Sequence, residues 1–305
     1  MKKFIRSCLC MLALLLAIMQ PLTASAATVL DPTAPCSLTL HYTKDGTAFG
    51  GLEIKIFRVA AFEADGSYAL TGPFAEYPVR IHDIQSQREW QESTQALVSY
   101  AEADGLTPTA TGTTDANGTV KFEDLVTGLY LIMGVRVQTP TERFQFQPFV
   151  AFLATPNSDG TYTYDVEAYP KAGTVTPITQ FRVIKLWNDT GSRQERPNSI
   201  SVDILKNGVL HETVTLSQEN NWAYTWASTD LDAQWSVAER EVPAGYTVSV
   251  SFQNGAFTIT NECPPDPSLP PKTGDSTTLW PYIASLIASG VGLVLLGSLR
   301  KRKKS

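Results

Sequence analysis

Histidine and cysteine are scarce in this sequence, which contains 3 histidines and 4 cysteines among 305 residues. The histidines, His41, His82 and His211, occur singly and without the spacing of metal ligands. No serine or cysteine lies in a nucleophile motif, and the glycines mark turns without forming a phosphate-binding loop. We therefore expect no cofactor, no metal site and no conventional active site, and an enzyme is the least favoured class of function.

Long apolar runs are confined to the two ends of the chain. Three basic residues within the first six precede an apolar run that ends in small residues, so residues 1–26 are predicted to be a secretory signal peptide. Residues 279–299 carry no charge and would rise about 31 Å as a helix, enough to cross a membrane. The basic residues at 300–305 are typical of a cytoplasmic tail. A permanent membrane protein is one interpretation, whereas a lipid-anchor signal is disfavoured because such signals end in the apolar tail.

Basic residues are few in the part of the chain that would be exported. Residues 1–26 and 274–305 hold 8 of the 24 basic residues and 1 of the 30 acidic residues, so the remainder carries a net charge of −13. This charge argues against binding of nucleic acid or of an anionic membrane surface. Cys36 and Cys263 remain at opposite ends of this part, and we expect them to be unpaired or to pair between molecules.

The exported part is long enough for two domains. In the first domain, residues 35–172, short strand patterns are interrupted by one helix, which Ser86 and Glu89 begin as a capping box and Gly105 ends. The second domain, residues 178–262, has strand patterns at the spacing of a small β-sandwich and a hairpin turn in QNGA at 253–256. A short linker joins the two domains.

Five segments of the second domain, VIKLWND, RPNSISVDIL, NNWAYTW, WSVAEREVPAGY and FTITNE, resemble the collagen-adhesin B-type (CnaB) repeat in order and spacing. The first domain resembles the amino-terminal domain of Gram-positive pilins more loosely, through DANGTVKFEDLVTGLYLI and the closing YPK. The fold class is therefore expected to be mainly β. It would comprise two tandem Ig-like or CnaB-type β-sandwiches, the first with a helical insertion, in addition to the signal peptide and the transmembrane helix.

The CnaB resemblance implies an intramolecular isopeptide bond. In that family a first-strand lysine condenses with a last-strand asparagine while a buried acid assists, and the matching residues are Lys185, Asn261 and Glu239. Burial favours this chemistry, because it lowers the pKa of a lysine and raises that of a carboxyl group. The alternative is a strand lysine and a turn asparagine with no bond between them.

The first domain departs from this pattern. His41 and Tyr42 stand where a lysine would be expected, Gly134 stands where relatives carry Glu, and no Asn follows YPK. We therefore expect no isopeptide bond in residues 35–172.

The first domain ends in YTYDVEAYPK, which resembles the pilin motif WxxxVxVYPK, whose lysine attacks the acyl-enzyme formed on the next subunit. Tyr162 replaces the Trp and Ala168 the second Val, whereas the other motif positions, including Lys171, match. Pro170 ends the strand and would leave Lys171 accessible at the junction between the domains. The alternative is an ordinary solvated lysine.

A proline-rich linker at residues 263–274 contains PPKTG. It resembles the LPxTG sorting signal, in which a sortase cleaves between the residues that are here Thr273 and Gly274. Pro270 stands in the first position, which leaves the class of sortase open. The order of motif, apolar run and basic tail makes the resemblance specific.

These features favour a structural subunit of a sortase-assembled pilus, either shaft or base, covalently attached to the Gram-positive cell wall after a membrane-anchored precursor. The implied partners are a sortase, other pilin subunits, peptidoglycan and a host surface ligand, with no nucleic acid. The alternative is a monomeric wall-anchored adhesin or spacer protein.

Overall fold

A computed structural model describes residues 30–63, 67–189 and 196–263. Within these ranges the chain is mainly β, as the sequence predicts, with one α-helix, α1, at Gln87–Ala103. The first domain contains β1 Cys36–His41, β2 Thr43–Lys44, β3 Thr47–Ala48, β4 Glu53–Phe62, β5 Tyr68–Leu70, β6 Ala110–Thr113, β7 Thr119–Leu125, β8 Gly128–Ile132, β9 Val135–Gln138, β10 Arg143–Phe146, β11 Phe149–Leu153, β12 Thr155–Pro156, β13 Tyr162–Thr163, β14 Asp165–Ala168 and β15 Ala172–Thr174. The second contains β16 Gln180–Asn188, β17 Ser199–Lys206, β18 Val209–Ser217, β19 Ala223–Ala227, β20 Trp235–Glu239, β21 Thr247–Gln253 and β22 Ala256–Glu262.

The first domain is built on two main sheets, with strand orders β14-β1-β7 and β11-β8-β4-β5, and β6 also pairs with β4. The first strand, β1, pairs in parallel with β14 near the end of the domain. Strand β8 is buried along its whole length because both faces of its sheet are covered. Tyr130 and Ile132 enter the core beneath β1, whereas Leu129 and Leu131 face a second cluster on the opposite side.

Helix α1 begins where the sequence predicts. The Ser86 side chain accepts a hydrogen bond from the Glu89 backbone N–H at 3.2 Å, as in a capping box. In a complete capping box, the Glu89 side chain would accept a hydrogen bond from the backbone N–H of Ser86. Here the Glu89 carboxylate instead accepts from the backbone N–H of Gln85, one residue earlier, at 3.0 Å. After the helix, Gly105 has a φ of +57° and turns the chain away.

The second domain is a two-sheet sandwich with strand orders β19-β16-β22-β21 and β18-β17-β20. Its first strand, β16, lies parallel to its last strand, β22. Asn254 (φ 49°) and Gly255 (φ 84°) form the predicted hairpin turn between β21 and β22. Alternation along β16 and β22 directs every second side chain into the core.

One hydrophobic cluster includes side chains from both domains. It joins α1 and one face of the β4-β8 sheet to the interior of the second domain, including Phe181, Val202 and Ile259. A parallel bridge pairs Val79 with Val248, and the Val248 N–H donates to the Pro78 carbonyl at 2.7 Å. The described residues therefore form one compact body in which α1 packs on β20 and β21.

Several predicted segments lie outside the described residues. They are the signal peptide at 1–26, most of the linker at 263–274, the apolar run at 279–299 and the basic tail at 300–305. Within residues 30–63, 67–189 and 196–263, no helix is both long enough and apolar enough to span a membrane.

Candidate functional site

Lys185 and Asn261 lie on neighbouring strands with their side chains on the same face. In the parallel pairing of β16 with β22, Lys185 is opposite Ile259 and Trp187 is opposite Asn261. Because side chains alternate along a strand, both residues belong to the inward-facing set that includes Phe181, Val183 and Phe257. Asn261 is completely buried, and Lys185 is 3% exposed.

Glu239 reaches these two residues from the last position of β20, in the facing sheet. The Asn261 amide Nδ2 donates to Glu239 Oε1 at 2.8 Å. Lys185 Nζ lies 3.6 Å from Glu239 Oε2 and donates to the backbone oxygen of Leu186 at 2.9 Å. The structure therefore brings together the three residues that the CnaB resemblance selects, with the Glu239 carboxyl group next to both Asn261 and Lys185.

Burial changes the acid–base properties of this cluster. Desolvation lowers the pKa of Lys185 to about 7, and the nearby Glu239 carboxyl only partly opposes this effect. Desolvation likewise raises the pKa of Glu239, against the opposing effects of Lys185 and Asn261. Both shifts favour the uncharged forms, in which the amine has a lone pair and the carboxyl group carries a proton.

Two buried oxygens of the cluster, Glu239 Oε2 and Asn261 Oδ1, have no hydrogen-bond partner. An amide's oxygen and nitrogen can be exchanged by a flip without changing its shape. In the flipped orientation, Asn261 Oδ1 would occupy the 2.8 Å contact, and a protonated Glu239 would donate to it. That bond would polarise the amide carbonyl and make its carbon a better electrophile.

An aromatic ring and a charged group beyond it cover the amine, and the sequence analysis did not select these residues for the site although they lie in the CnaB-like segments. Lys185 Nζ lies 4.1 Å from the centre of the Trp187 ring, and the Arg196 guanidinium lies 5.7 Å from the same ring. Arg196 pairs with Asp189 and holds the pKa of that carboxyl at about 2, while Tyr246 donates to Asp189 at 2.9 Å. A signal for Trp187 was present, since it follows Lys185 by two residues and therefore shares its face.

In the first domain, Gly134, the position at which the resemblance implies a glutamate, is closely surrounded by neighbouring atoms. A Cβ atom on Gly134 would lie 2.9 Å from Gln145 Nε2 and 3.0 Å from the backbone oxygen of Phe146. The close packing of β9 and β10 therefore explains the glycine at this position.

Lys171 is exposed in the short connection between β14 and β15. The preceding residues differ in burial, since Pro170 is buried whereas Tyr169 is 66% exposed and stacks on His41 at 4.8 Å. The backbone oxygen of Lys171 accepts a hydrogen bond from Gln147 at 2.9 Å, which fixes the main chain. Within the described part of the chain, its amine forms no hydrogen bond or ion pair.

Thr273 and Gly274, the predicted cleavage site, lie outside the described residues. Among the residues that are described, no group of His, Cys, Asp and Glu side chains could hold a metal ion.

Two families match parts of this chain. The Cna protein B-type domain matches residues 181–262, and the Gram-positive pilin subunit D1, N-terminal domain, matches residues 67–172. The chain is thus pilin-like in its first domain and CnaB-like in its second. These matches support a pilin-type or adhesin-type surface protein of Gram-positive bacteria.

Individual relatives are distant. The collagen adhesin of Staphylococcus aureus is 23% identical over 208 residues, which are 63% of this chain but 16% of that protein. A single B repeat unit of the collagen-binding surface protein of the same species is 15% identical, with a TM-score of 0.26, and covers 76% of this chain and 100% of its own. The full-length major pilin SpaD of Corynebacterium diphtheriae is 15% identical, with a TM-score of 0.32, over 76% of this chain and 66% of its own.

Proposed function

We propose that this chain is a structural subunit of a covalently assembled surface pilus of a Gram-positive bacterium, either shaft or base. The match to the pilin D1 domain carries the proposal, because it ends at residue 172, next to the exposed Lys171. The Lys171 amine is exposed and its main chain is held in place, as is suitable for a nucleophile that must enter the active site of a sortase. Peptidoglycan and a sortase are the further partners of this proposal.

Within each subunit, Lys185 and Asn261 form an isopeptide bond. The neutral Lys185 amine attacks Asn261 Cγ, a C–N bond forms, the bond from Cγ to Nδ2 breaks, and ammonia leaves with the proton that the amine gives up. Glu239, protonated, donates to the amide oxygen and transfers protons between the amine and the leaving nitrogen. The contacts of Glu239 with both partners and the dry surroundings support this assignment.

Between subunits, Lys171 is the nucleophile. A sortase would cleave between Thr273 and Gly274 and hold the Thr273 carbonyl as a thioester on its cysteine. Attack by Lys171 of another subunit would release the enzyme thiol and leave a Thr273–Lys171 isopeptide bond.

The second candidate is a monomeric wall-anchored adhesin. The match to a protein named collagen adhesin favours it. In that case Lys171 would be an ordinary surface lysine, and collagen would be the first ligand to test.

The two candidates differ in the size of the cell-wall-attached product. We expect boiling-resistant high-mass species in cell-wall extracts from the producing bacterium, detected with an antibody to this chain. Replacing Lys171 with Ala should collapse this ladder to the monomer, because the bond between subunits would lose its nucleophile. A branched peptide containing Lys171 and Thr273 should be found by mass spectrometry of the ladder.

Two variants serve as controls. Lys55→Ala removes another exposed lysine of the first domain, and Lys185→Ala removes the internal bond; both should leave the ladder intact. A ladder that persists in the Lys171→Ala strain would exclude Lys171 as the linking residue. A single anchored monomer in the wild-type strain would favour the adhesin.

A further inference from the structure

Strand β20, which carries Glu239, is buried on both faces although it lies at the edge of its sheet. Val237 and Glu239 point into the second domain, as strand alternation requires. Ser236 and Ala238 point the other way, yet their exposed fractions are 4% and 1%. The first domain covers this outer face, because α1 packs against β20.

Tyr100 of α1 contacts the backbone of Glu239 itself. Its hydroxyl group donates to the Glu239 carbonyl oxygen at 2.9 Å, and this bond is fully buried. The Tyr100 ring is held in turn by Tyr77, which stacks on it at 4.5 Å. Burial raises the pKa of Tyr100 above its usual range, so the hydroxyl keeps its proton and remains a donor.

Two further contacts on the same helix turn fix the residues around Glu239. The Ser236 hydroxyl donates to Glu102 Oε2 at 2.5 Å, and burial raises the pKa of that carboxyl group. Arg240, next to Glu239, donates to Asp104 of the first domain at 2.8 Å and lies 3.2 Å from Asp203 of its own domain. The end of β20 and the residue after it are thus held at three positions by the last turn of α1 and by Asp104, which follows the helix.

We propose that helix α1 of the first domain completes the cross-linking site of the second domain, with Tyr100 as a positioning residue for Glu239. This inference rests on the proposed Lys185–Asn261 bond. The Tyr100 hydroxyl contacts only the backbone of Glu239 and no reacting atom, so its role is to hold the strand that presents the carboxyl group.

The physical reason is exclusion of water from an edge strand. Without α1, the outer face of β20 and the Glu239 carbonyl would be open to solvent. Hydration would stabilise the charged forms of Glu239 and Lys185, neither of which can react. The cross-link should therefore form only after the first domain has packed against the second. Docking of the domains would thus precede condensation of Lys185 with Asn261.

The test follows condensation while the exported chain, residues 27–273, refolds. Chain isolated uncondensed in denaturant is diluted into buffer at a series of pH values, and the loss of about 17 Da that accompanies release of ammonia is followed by intact mass. Circular dichroism measures the folded fraction in parallel.

We expect Tyr100→Phe to slow condensation of folded chain about three- to tenfold, the factor that corresponds to one hydrogen bond. The alkaline limb of its pH–rate profile should also move to lower pH, because a better hydrated Glu239 ionises more readily.

Tyr130→Phe is the matched control. Tyr130 is also buried, and its hydroxyl donates to the Val126 backbone oxygen at the same distance, 2.9 Å, but entirely within the first domain. This variant should lose comparable stability while keeping the wild-type rate and pH profile. A general loss of stability would affect both variants equally.

The outcomes separate this inference from the proposed bond. If the wild-type chain keeps its full mass, the bond itself is excluded and the inference falls with it. If the wild-type chain condenses and Tyr100→Phe matches Tyr130→Phe in rate and pH profile, the bond stands and the positioning role is overturned. Should Tyr100→Phe fail to refold, Ser236→Ala, which removes the contact to Glu102, replaces it; an unchanged rate and profile in that variant would overturn the proposal.

Discussion

At the scale of single residues, Glu239 and Lys185 act as one titrating unit. They are buried side by side, and the neutral pair contains the same number of protons as the ion pair. The reactive form, a neutral amine beside a protonated carboxyl, is therefore one arrangement of the singly protonated pair. Burial favours this arrangement over the ion pair, because the two charges would have to be held without water.

This coupling predicts a bell-shaped pH dependence for condensation. At low pH the pair gains a proton, Lys185 becomes a cation and its lone pair is lost, so the rate falls. At high pH the pair loses its remaining proton, Glu239 becomes a carboxylate and cannot donate to Asn261, so the rate falls again. Since desolvation lowers the pKa of Lys185 to about 7, the acidic limb should lie well below the range of an ordinary lysine.

Refolding the uncondensed chain at each pH and recording its mass against time measures this profile, with the folded fraction as the internal control. A rate that rises steadily with pH would indicate attack by the amine without an acid, and would remove Glu239 from the mechanism.

The three residues of the proposed cross-linking site, Lys185, Glu239 and Asn261, could be selected from the sequence because each lies in a short segment that resembles a CnaB motif. Their contacts could not be derived from spacing alone, since Lys185 and Asn261 are far apart in the chain and meet only through the pairing of β16 with β22. Arg196 begins the segment RPNSISVDIL, but the resemblance of that segment did not indicate that the Arg196 side chain would lie beside Trp187.

At the scale of elements, helix α1 was predicted correctly in extent but not in its packing role. Leu97 and Ala101, four residues apart, give the helix one apolar face, and both are buried. The structure also buries Ser93, Thr94 and Ser99, because the helix lies between a sheet of the first domain and the second domain. Small polar residues on a helix usually indicate a solvent-exposed face, so the sequence pattern did not reveal the second contact.

The second domain contains two Asn-Gly hairpins. Substitutions in them can separate the cost of backbone strain in a turn from the cost of a steric collision with a neighbouring strand. Gly208 (φ 73°) follows Asn207 between β17 and β18, and Gly255 (φ 84°) follows Asn254 between β21 and β22. A Cβ atom on Gly208 would meet no atom closer than 3.7 Å, whereas one on Gly255 would lie 2.6 Å from the backbone oxygen of Gln180.

Gly208→Ala should therefore cost about 1–2 kcal/mol of the free energy of unfolding, the usual penalty for an L-residue in the left-handed region. Gly255→Ala should cost more, because β16 must also move away from the turn. Urea denaturation in the Lys185→Met background, where no cross-link can form, measures both values. Equal losses of unfolding free energy in the two variants would show that the backbone oxygen of Gln180 moves away from the added Cβ atom without an energetic cost.

At the scale of the whole molecule, the proposed bonds define a path for tension along a pilus. Force would enter a subunit at Lys171 and leave at Thr273, so it would cross β15, the last strand of the first domain, and then the second domain, but not β1 to β14. Inside the second domain, the Lys185–Asn261 bond would join the first strand directly to the last. Strands β1 to β14 lie outside this path, which gives a physical reason why the first domain would need no isopeptide bond of its own.

The proposed Lys185–Asn261 bond also predicts how far a chain of residues 27–273 extends when it is pulled by its two ends. In the wild-type chain, the proposed covalent bond would bypass the residues between Lys185 and Asn261, and these residues could not extend. Lys185→Met should release these roughly 75 residues and add about 250 Å to the contour length, at about 3.4 Å per residue. Single-molecule force spectroscopy measures the difference directly.

Glu239→Gln provides the matched control for this measurement, because it leaves both bonding residues in place and removes only the acid. If the cross-link limits the extension, this variant should gain the same length as Lys185→Met although the two changes are chemically different. A gain in Lys185→Met alone would mean that the bond forms without Glu239. The absence of a gain in either variant would mean that the wild-type second domain already unfolds completely under force, and that no covalent bond links its first and last strands.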